Sequence, residues 1–226
     1  MHELVSQILS LFSSNQLFDQ GVELIGSWCF FLYQKHLGAR SYPFRTVDID
    51  FLISHPYKGN SKVDLVEELE KLGFRYSFAP DGSIFLWSSE LKIEFLAPER
   101  GRGEKKAINV KALGIKATPL RFLDMLLKDP IFVEEDGIKI AIPNPACFCL
   151  HKLLICSRRR TEDKTQKDIQ QALRAYEISN KEYLIHTFGS FPATWKRKII
   201  QALDLAASKN PLNKQLAEDI NVTLQI

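Results

Sequence analysis

The chain has 226 residues, of which 45% are hydrophobic and 25% charged, a composition typical of a globular protein with a sizeable core. The 30 basic and 27 acidic residues give a net charge of +3, which is too balanced to require nucleic acid or an anionic membrane as a partner. The sequence has neither a signal-peptide pattern nor an apolar run of about 18 residues, so we expect a cytoplasmic protein without a membrane partner.

The first part of the chain predicts a helix, a strand, a small turn and a second helix. The first helix covers residues 2–13, the strand residues 22–25 and the second helix residues 28–37. The turn between them is Gly26 and Ser27. A helix N-terminus offers free backbone N–H groups, Gly26 has no Cβ in the way and Ser27 adds a hydroxyl. The turn is therefore a candidate phosphate site, although such a turn taken alone is more often only a chain reversal.

The segment TVDIDFLIS, residues 46–54, places two acidic side chains in an apolar strand. Because strand side chains alternate, Asp48 and Asp50 share one face and Ile49 and Phe51 the other. Two ionised carboxylates side by side repel each other, and a bound divalent cation such as Mg²⁺ removes that repulsion. The alternative is a strand with one solvated face.

The middle of the chain changes to alternating apolar residues after a helix within residues 62–74. This pattern predicts strands within residues 74–80, 83–89 and 91–98. In the last of these, Glu94 lies on the face opposite the apolar row, as the aspartates do in their strand. If the two strands are adjacent, three carboxylates converge and complete a two-metal site. Glu94 taken alone is also explained as a solvated strand acid.

The last part of the chain predicts a charged loop, a hairpin and then helices. The loop covers residues 99–106, an extended piece follows around residues 110–115, and the hairpin covers residues 131–143 with its turn at Asp136 and Gly137. Asn144 and Pro145 begin a run of helices at residues 144–158, 161–179, 181–188, 193–208 and 212–219. We therefore expect an α/β domain over residues 1–142 and a helical domain over residues 143–226.

The four cysteines are predicted to be buried and reduced. Cys147, Cys149 and Cys156, with His151, are close enough in the sequence to suggest zinc. Their spacing is not that of a zinc site, and on one helix they would point in different directions. Core packing, also for Cys29, is the preferred interpretation.

Basic residues collect at the start of the helical part. Lys152 lies in the apolar run CFCLHKLLIC, where an unpaired ammonium group is costly, so it should reach a carboxylate or a ligand. Arg158, Arg159 and Arg160 follow it and favour phosphates, or they form a solvated helix end. An ion pair between Lys152 and Asp168 is the structural alternative for both residues.

The set formed by Gly26 and Ser27, then Asp48-Ile49-Asp50, then Glu94 resembles the motifs of the DNA polymerase β-type nucleotidyltransferase superfamily. The similarity is greatest to its bacterial branch of type IV toxin-like nucleotidyltransferases. This resemblance implies an α+β fold in which a nucleotidyltransferase-like mixed β-sheet, flanked by helices, precedes a C-terminal helical bundle. It also implies that the turn holds a nucleoside triphosphate and that Asp48, Asp50 and Glu94 hold Mg²⁺ or Mn²⁺.

The resemblance covers residues 20–176 and continues into the helical part. IPNPACFCLHKLL and QKDIQQA look like the helices of that branch in which a lysine and then a Lys-Asp pair recur. Lys152 and Asp168 are implied as catalytic residues, and Arg158 and Lys167 as further nucleotide contacts. The helical domain is implied to close the nucleotide cleft. The third acid is Glu rather than the commoner Asp, and its side chain reaches further.

These observations predict transfer of a nucleoside monophosphate from a nucleoside triphosphate to a hydroxyl acceptor that is a protein, an RNA or a small molecule. One alternative is a nucleotide-binding protein that has lost turnover. The other is a toxin-like enzyme that modifies tRNA and has an antitoxin-like partner. The basic loop 100–106 and the arginines Arg158 to Arg160 suit RNA, but the small net charge gives this alternative little support.

Overall fold

Apolar residues recur at helical spacing in the first and last parts of the chain and at alternate positions in the middle, and the local structure follows them. A computed structural model describes residues 3–41, 46–101, 103 and 106–225. Part of the charged loop predicted over residues 99–106, namely Arg102, Glu104 and Lys105, lies outside the described residues. The helices are α1 Glu3–Ser14, α2 Gly26–Leu37, α3 Leu65–Lys71, α4 Pro145–Cys156, α5 Glu162–Glu177, α6 Lys181–Gly189, α7 Ala193–Lys209 and α8 Pro211–Leu224. The strands are β1 Val22–Ile25, β2 Asp48–Ile53, β3 Arg75–Phe78, β4 Ile84–Trp87, β5 Lys92–Pro98, β6 Ile108–Val110, β7 Ile115–Leu120, β8 Ile131–Glu135 and β9 Ile138–Ile142.

The described residues form a mixed seven-stranded sheet and a separate hairpin, β8–β9. The sheet runs in the order β1-β2-β5-β4-β3, with β7 also beside β5 and β6 beside β7. Strand β2 is antiparallel to β1 and parallel to β5, and β4 is antiparallel to both β5 and β3. With helices around this sheet and a helical C-terminal part, the predicted α+β class is confirmed.

One face of the sheet is the hydrophobic core of the first part of the chain. Ile49 and Phe51 of β2 and Ile93 and Phe95 of β5 are fully buried on this face. Phe12 of α1 stacks on Phe51 with ring centroids 3.9 Å apart. Burying each of these side chains contributes about 1.5–3 kcal/mol. Because strand side chains alternate, burial of this row fixes the acidic positions of β2 and β5 on the other face.

The chain divides into two compact units. The first contains Met1–Phe31 and Phe44–Pro143, and the second contains Leu32–Pro43 and Asn144–Ile226. The division into an α/β domain and a helical domain that closes a nucleotide cleft stays a prediction.

The second unit is built around α4, whose residues are almost all buried. The Asn144 side chain accepts a hydrogen bond from the Ala146 backbone N–H, and Pro145 occupies the first turn, so the predicted helix start is confirmed. Phe148 of α4 meets the ring of Tyr33 edge-on, with centroids 5.3 Å apart. All four cysteines are buried thiols, in agreement with their predicted core packing.

Two details differ from the predicted elements. Helix α2 begins at Gly26, directly after β1, rather than at residue 28. The extended piece expected around residues 110–115 is two strands separated by a 3-10 turn at Lys111–Leu113, which ends at Gly114 with φ of 65°.

Within the described part of the chain, no helix combines the length and the apolar character needed to cross a membrane.

Candidate active site

The parallel pairing of β2 with β5 brings the predicted acidic residues to neighbouring positions. Asp50 lies opposite Glu94, and Asp48 lies opposite Lys92. Paired strands are about 4.8 Å apart, and residues in register point to the same side. Asp48, Asp50 and Glu94 therefore share one face of the sheet, called the acidic face below, and each is half-buried. The adjacency on which their predicted convergence depends is present.

Glu94 is held by a neighbour that the sequence analysis did not assign to it. The Lys92 ammonium group donates to Glu94 Oε1 at 2.7 Å, and the two side chains are 36% and 35% exposed. Among the described residues, no group of three His, Cys, Asp or Glu side chains is close enough to enclose a metal ion. The carboxylates thus share a face, but the side chain of Glu94 is directed to Lys92. Glu94 therefore has to change its side-chain conformation before it can act as a third carboxylate ligand.

Gly26 is in direct contact with the acidic strand. Its φ is 70°, a left-handed conformation that favours glycine. A Cβ on this residue would lie 2.4 Å from Asp50 Oδ2, so the absent side chain leaves space for the Asp50 carboxylate. The cause is the antiparallel pairing of β1 with β2, in which Ile25 lies opposite Asp50. The Asp50 carboxylate occupies the space beside Gly26 that was predicted to admit a phosphate, and a phosphate contact at this turn stays a prediction.

The start of α2 therefore lies beside the acidic strand. Ser27 is the second residue of this helix and is 7% exposed. The first N–H groups of a helix have no acceptor within the helix, and the helix dipole makes this end positive. An anion and a carboxylate-bound cation can consequently be held side by side here.

Glu23, which was not among the predicted site residues, is a further carboxyl group on the same side of the sheet. Glu23 lies opposite Leu52. Leu52 is two residues from Asp50 along β2, so the two side chains, and Glu23 with them, lie on the same face of the sheet. Its side chain is 2% exposed, and Oε2 has no hydrogen-bond partner among the described residues. Burial raises the pKa of Glu23 to about 8, so the group holds its proton at neutral pH. The sequence feature that could have identified Glu23 is its position between apolar residues in the strand VELI.

In the second unit, Lys152 and Asp168 form the ion pair that was left open as the structural alternative. Lys152 Nζ donates to Asp168 Oδ1 at 2.7 Å, and the side chains are 9% and 3% exposed. Arg159 also donates to both oxygens of Asp168, through Nε to Oδ2 and through a terminal nitrogen to Oδ1. Burial acts to raise the pKa of Asp168, but the charges of Lys152 and Arg159 hold it below its usual range. The role of Lys152 as a phosphate ligand stays a prediction.

The other basic candidates lie close to this pair along the chain. Arg158 follows α4 and is exposed, whereas Lys167 is half-buried on α5 next to Asp168. His151 is buried, and burial together with the charge of Lys152 lowers the pKa of its imidazole to about 3. The imidazole is therefore neutral at physiological pH. Contacts of Arg158 and Lys167 with a nucleotide stay predictions.

Comparison with known proteins gives one family and several solved structures. The sequence profile of a nucleotidyltransferase family matches residues 3–187. The structure of the antibiotic-resistance factor ANT(2'')-Ia shares 11% identity with this chain, covers 86% of this chain and 92% of its own, and has a TM-score of 0.49. An antigenic nucleotidyltransferase-like protein from Paracoccidioides brasiliensis shares 15% identity, covers 96% of this chain and 92% of its own, and has a TM-score of 0.50. The similarity to the Paracoccidioides brasiliensis protein shows a shared fold and nothing further. No curated protein matches the sequence.

Proposed function

Because the chain belongs to the nucleotidyltransferase family, we propose that it transfers a nucleoside monophosphate from a nucleoside triphosphate to an acceptor hydroxyl. The observation that supports this most is the acidic face, where Asp50 lies opposite Glu94 and against the Gly26 turn. In the reaction, the acceptor oxygen forms a bond to the α-phosphorus and the bond from that phosphorus to the bridging oxygen breaks. Pyrophosphate leaves with the electron pair, and the hydroxyl proton passes to solvent.

The residues of the acidic face suit a divalent cation. Carboxylate oxygens are the ligands that Mg²⁺ and Mn²⁺ prefer, and one or two of them suffice when substrate phosphates complete the shell. In this proposal Asp48 and Asp50 would hold the ion, and Glu94 would join them after a change of its side-chain conformation. When bound, the ion supplies positive charge to the attacking and leaving oxygens.

The chain's own groups bind and orient the triphosphate. The N–H groups at the start of α2 and the Ser27 hydroxyl are proposed to hold the outer phosphates, whose charge the helix dipole favours. The contact between Gly26 and Asp50 keeps this phosphate site next to the acidic pair. Lys92 neutralises part of the acidic charge and so reduces the repulsion that the pairing of β2 with β5 introduces.

Transfer can be tested with nucleoside triphosphates labelled at the α-phosphate. Each of the four is incubated with purified protein, Mg²⁺ and cell extract, and the label is followed into protein, RNA and small molecules. We expect Mg²⁺-dependent labelling that disappears in the variant carrying Asp48→Asn and Asp50→Asn. Label in tRNA would identify the toxin-like alternative. Labelling that persists in the double variant would contradict the proposed role of the acidic face.

A nucleotide-binding protein without turnover is the second candidate function. The conformation of Glu94 favours it, because the side chain that pairs with Lys92 does not come close enough to Asp48 and Asp50 to enclose a metal ion with them. This candidate predicts Mg²⁺-dependent binding of a triphosphate without incorporation of label into any fraction. Equilibrium dialysis with the same labelled nucleotides separates the two candidates.

A further inference from the structure

Strand β3 ends the sheet on one side, so half of its backbone hydrogen-bonding groups face away from the sheet. Among the described residues, β4 is the strand that pairs with it. Just beyond the strand, the Ala79 N–H donates to the Ser83 carbonyl at 2.8 Å, and these two residues are therefore a hydrogen-bonded pair. Such pairs alternate with non-hydrogen-bonded pairs in antiparallel strands. Two residues earlier, Ser77 consequently also directs its backbone groups to β4.

The outward backbone groups belong to Tyr76 and Phe78, which also carry exposed rings. No described residue supplies a partner for the N–H and C=O groups that these two residues turn away from β4. Their side chains are 46% and 59% exposed, and the ring centroids are 5.9 Å apart. Natural proteins usually protect such an edge with a lysine, a proline or a bulge. Here both outward positions are aromatic, so free hydrogen-bonding groups and apolar surface coincide.

This edge is limited at both ends. The Phe74 N–H already donates to the Leu69 carbonyl at 3.2 Å, which ties the start of the strand to the end of α3. At the other end, Pro80 has no N–H to donate. The backbone available for pairing is therefore residues 75–79, called the free edge below. Its central residue is Ser77, with one outward residue on each side.

We propose that two copies of the chain pair through their free edges about a twofold axis at Ser77. In this antiparallel register, Tyr76 lies opposite Phe78 of the second copy, and Phe78 lies opposite its Tyr76. The outward residues then exchange all their backbone hydrogen bonds. The rings form two Tyr–Phe pairs across the new strand boundary, a combination that stabilises sheets. Ser77 lies beside Ser77 of the second copy on the other face, where both side chains are small.

The neighbouring twofold registers satisfy fewer groups. An axis at Tyr76 places Phe78 opposite Phe74 of the second copy, whose N–H is already bonded. An axis at Phe78 places Tyr76 opposite Pro80, which has no N–H. Each alternative leaves a backbone carbonyl without its donor, so the chain selects the register centred on Ser77.

The charges around the free edge also suit a second copy. Arg75 lies opposite Ala79 of the second copy, and the two arginines are about 13 Å apart along the strands. This distance exceeds the screening length of about 8 Å at physiological salt, so their repulsion is small. The contact therefore brings no like charges together.

An extended peptide from another protein is the other occupant that an edge strand accepts. An acidic peptide would be repelled by α3, which carries three glutamates and one lysine and ends directly before β3. A basic peptide would be repelled by Arg75 and by Lys116, whose ammonium group lies 5.6 Å from the centre of the Phe78 ring. A second copy brings neither charge to the centre of the edge, so it is the occupant that the charges favour.

The pairing leaves the acidic face open. Strands β4 and β5 separate β3 from β2, which carries Asp48 and Asp50. Association through β3 therefore does not depend on the proposed nucleotidyl transfer. Interfaces below about 1,200 Å² are typical of weak complexes, and a short strand with two rings belongs to this class. We expect a dimer that dissociates on dilution.

Sedimentation velocity of the full chain measures this association from low micromolar to sub-millimolar concentration. The sedimentation coefficient of the wild type should rise with concentration toward that of a dimer. Phe78→Lys should raise the dissociation constant about tenfold or more, because the twofold axis removes two aromatic pairs at once. Phe132→Lys is the matched control, since Phe132 is a 45% exposed phenylalanine on strand β8. It should associate like the wild type.

Disulfide formation tests the register. Across the twofold axis, the two Cα atoms of residue 77 would be about 4.5 Å apart, within the range that a disulfide spans. Oxidised Ser77→Cys should therefore give a linked dimer on a non-reducing gel. Arg75→Cys, on the same face of the same strand, should not, because its two copies are too far apart. The four native cysteines are buried and do not compete.

Circular dichroism checks that each variant is folded, since Ser77 accepts a hydrogen bond from the Trp87 indole N–H at 3.2 Å. A wild type that stays monomeric at every concentration would overturn the proposal. Equal cross-linking of Ser77→Cys and Arg75→Cys, or species that grow beyond dimers, would overturn it as well. The last probe is a labelled peptide of alternating glutamate and valine. Its binding to a monomeric wild type, lost in Phe78→Lys, would assign the free edge to a partner protein instead.

Discussion

The ion cluster around Asp168 gives the sharpest stability prediction. The carboxylate is 3% exposed and accepts hydrogen bonds from both Lys152 and Arg159, whose side chains are 9% and 37% exposed. Asp168→Asn leaves a buried ammonium without its counter-ion, and breaking a buried ion pair costs about 3–5 kcal/mol. Lys152→Met costs less, about 1.5–3 kcal/mol for one hydrogen bond to a charged group, because Arg159 still neutralises Asp168. Arg159→Met should cost least, since this side chain is partly solvated.

The measurement is the urea concentration at half-unfolding at pH 7, followed by circular dichroism. A double variant with Lys152→Met and Asp168→Leu removes both buried charges and should be more stable than Asp168→Asn alone. The pH dependence has a definite sign. The pKa of Asp168 lies below its ordinary value of 3.8 in the folded protein, so its stabilising contribution is present above that pH and is lost below it. The difference between wild type and Asp168→Asn should therefore shrink toward pH 3.

The stability of Lys152→Met decides whether the ion pair is structural. If Lys152→Met unfolds at the same urea concentration as the wild type or higher, the ion pair contributes no net stability. Nucleotide transfer that falls by orders of magnitude in this equally stable variant would then support Lys152 as a phosphate ligand. Reduced stability with preserved transfer per folded molecule would instead assign Lys152 to the structure of the second unit.

Three further predictions concern the first unit. The variant with Asp48→Asn and Asp50→Asn should lose Mg²⁺-dependent triphosphate binding, measured by calorimetry. It should melt at the same temperature as the wild type or higher, because the repulsion between the two carboxylates is relieved. Unchanged binding would exclude the metal role of these residues. Gly26→Val should weaken triphosphate binding more than nucleoside binding, because its Cβ would meet Asp50 Oδ2 at 2.4 Å beside the proposed phosphate site. Equal losses for the two ligands would indicate packing damage alone. Glu23 has a pKa of about 8 instead of 4.5, so wild-type stability should fall as pH rises between these values. Glu23→Gln should remove this fall and gain up to about 4–5 kcal/mol at pH 9, as urea midpoints would show; midpoints that fall in parallel would contradict it.

The strands and helices were largely predictable because each has its own periodicity. The apolar alternation in residues 46–54 and 91–98 contains β2 and β5, and the cap at Asn144 marks the start of α4. The shift of α2 to Gly26 was not predictable from propensity, since glycine is a poor helix former and its place here follows from the β1–β2 pairing.

The candidate site was less accessible to sequence analysis because it depends on contacts between distant segments. The alternation identified Glu94 as a partner for the aspartates only on condition that the strands are neighbours. The ion pair from Lys92 to Glu94 is a choice of side-chain rotamers, which no spacing specifies. Glu23 was overlooked because the burial of its face depends on how the sheet is covered, a property of the whole first unit.

The contact between Gly26 and Asp50 has a consequence for protein engineering. The Asp50 carboxylate fills the space that the missing side chain of Gly26 leaves. If only the glycine turn is transplanted into another protein, the space beside Gly26 has no carboxylate to fill it. If only the acidic strand is transplanted, the Asp50 carboxylate collides with whatever side chain stands at the position of Gly26. The two segments therefore have to be transplanted together, with the antiparallel register that places Ile25 opposite Asp50.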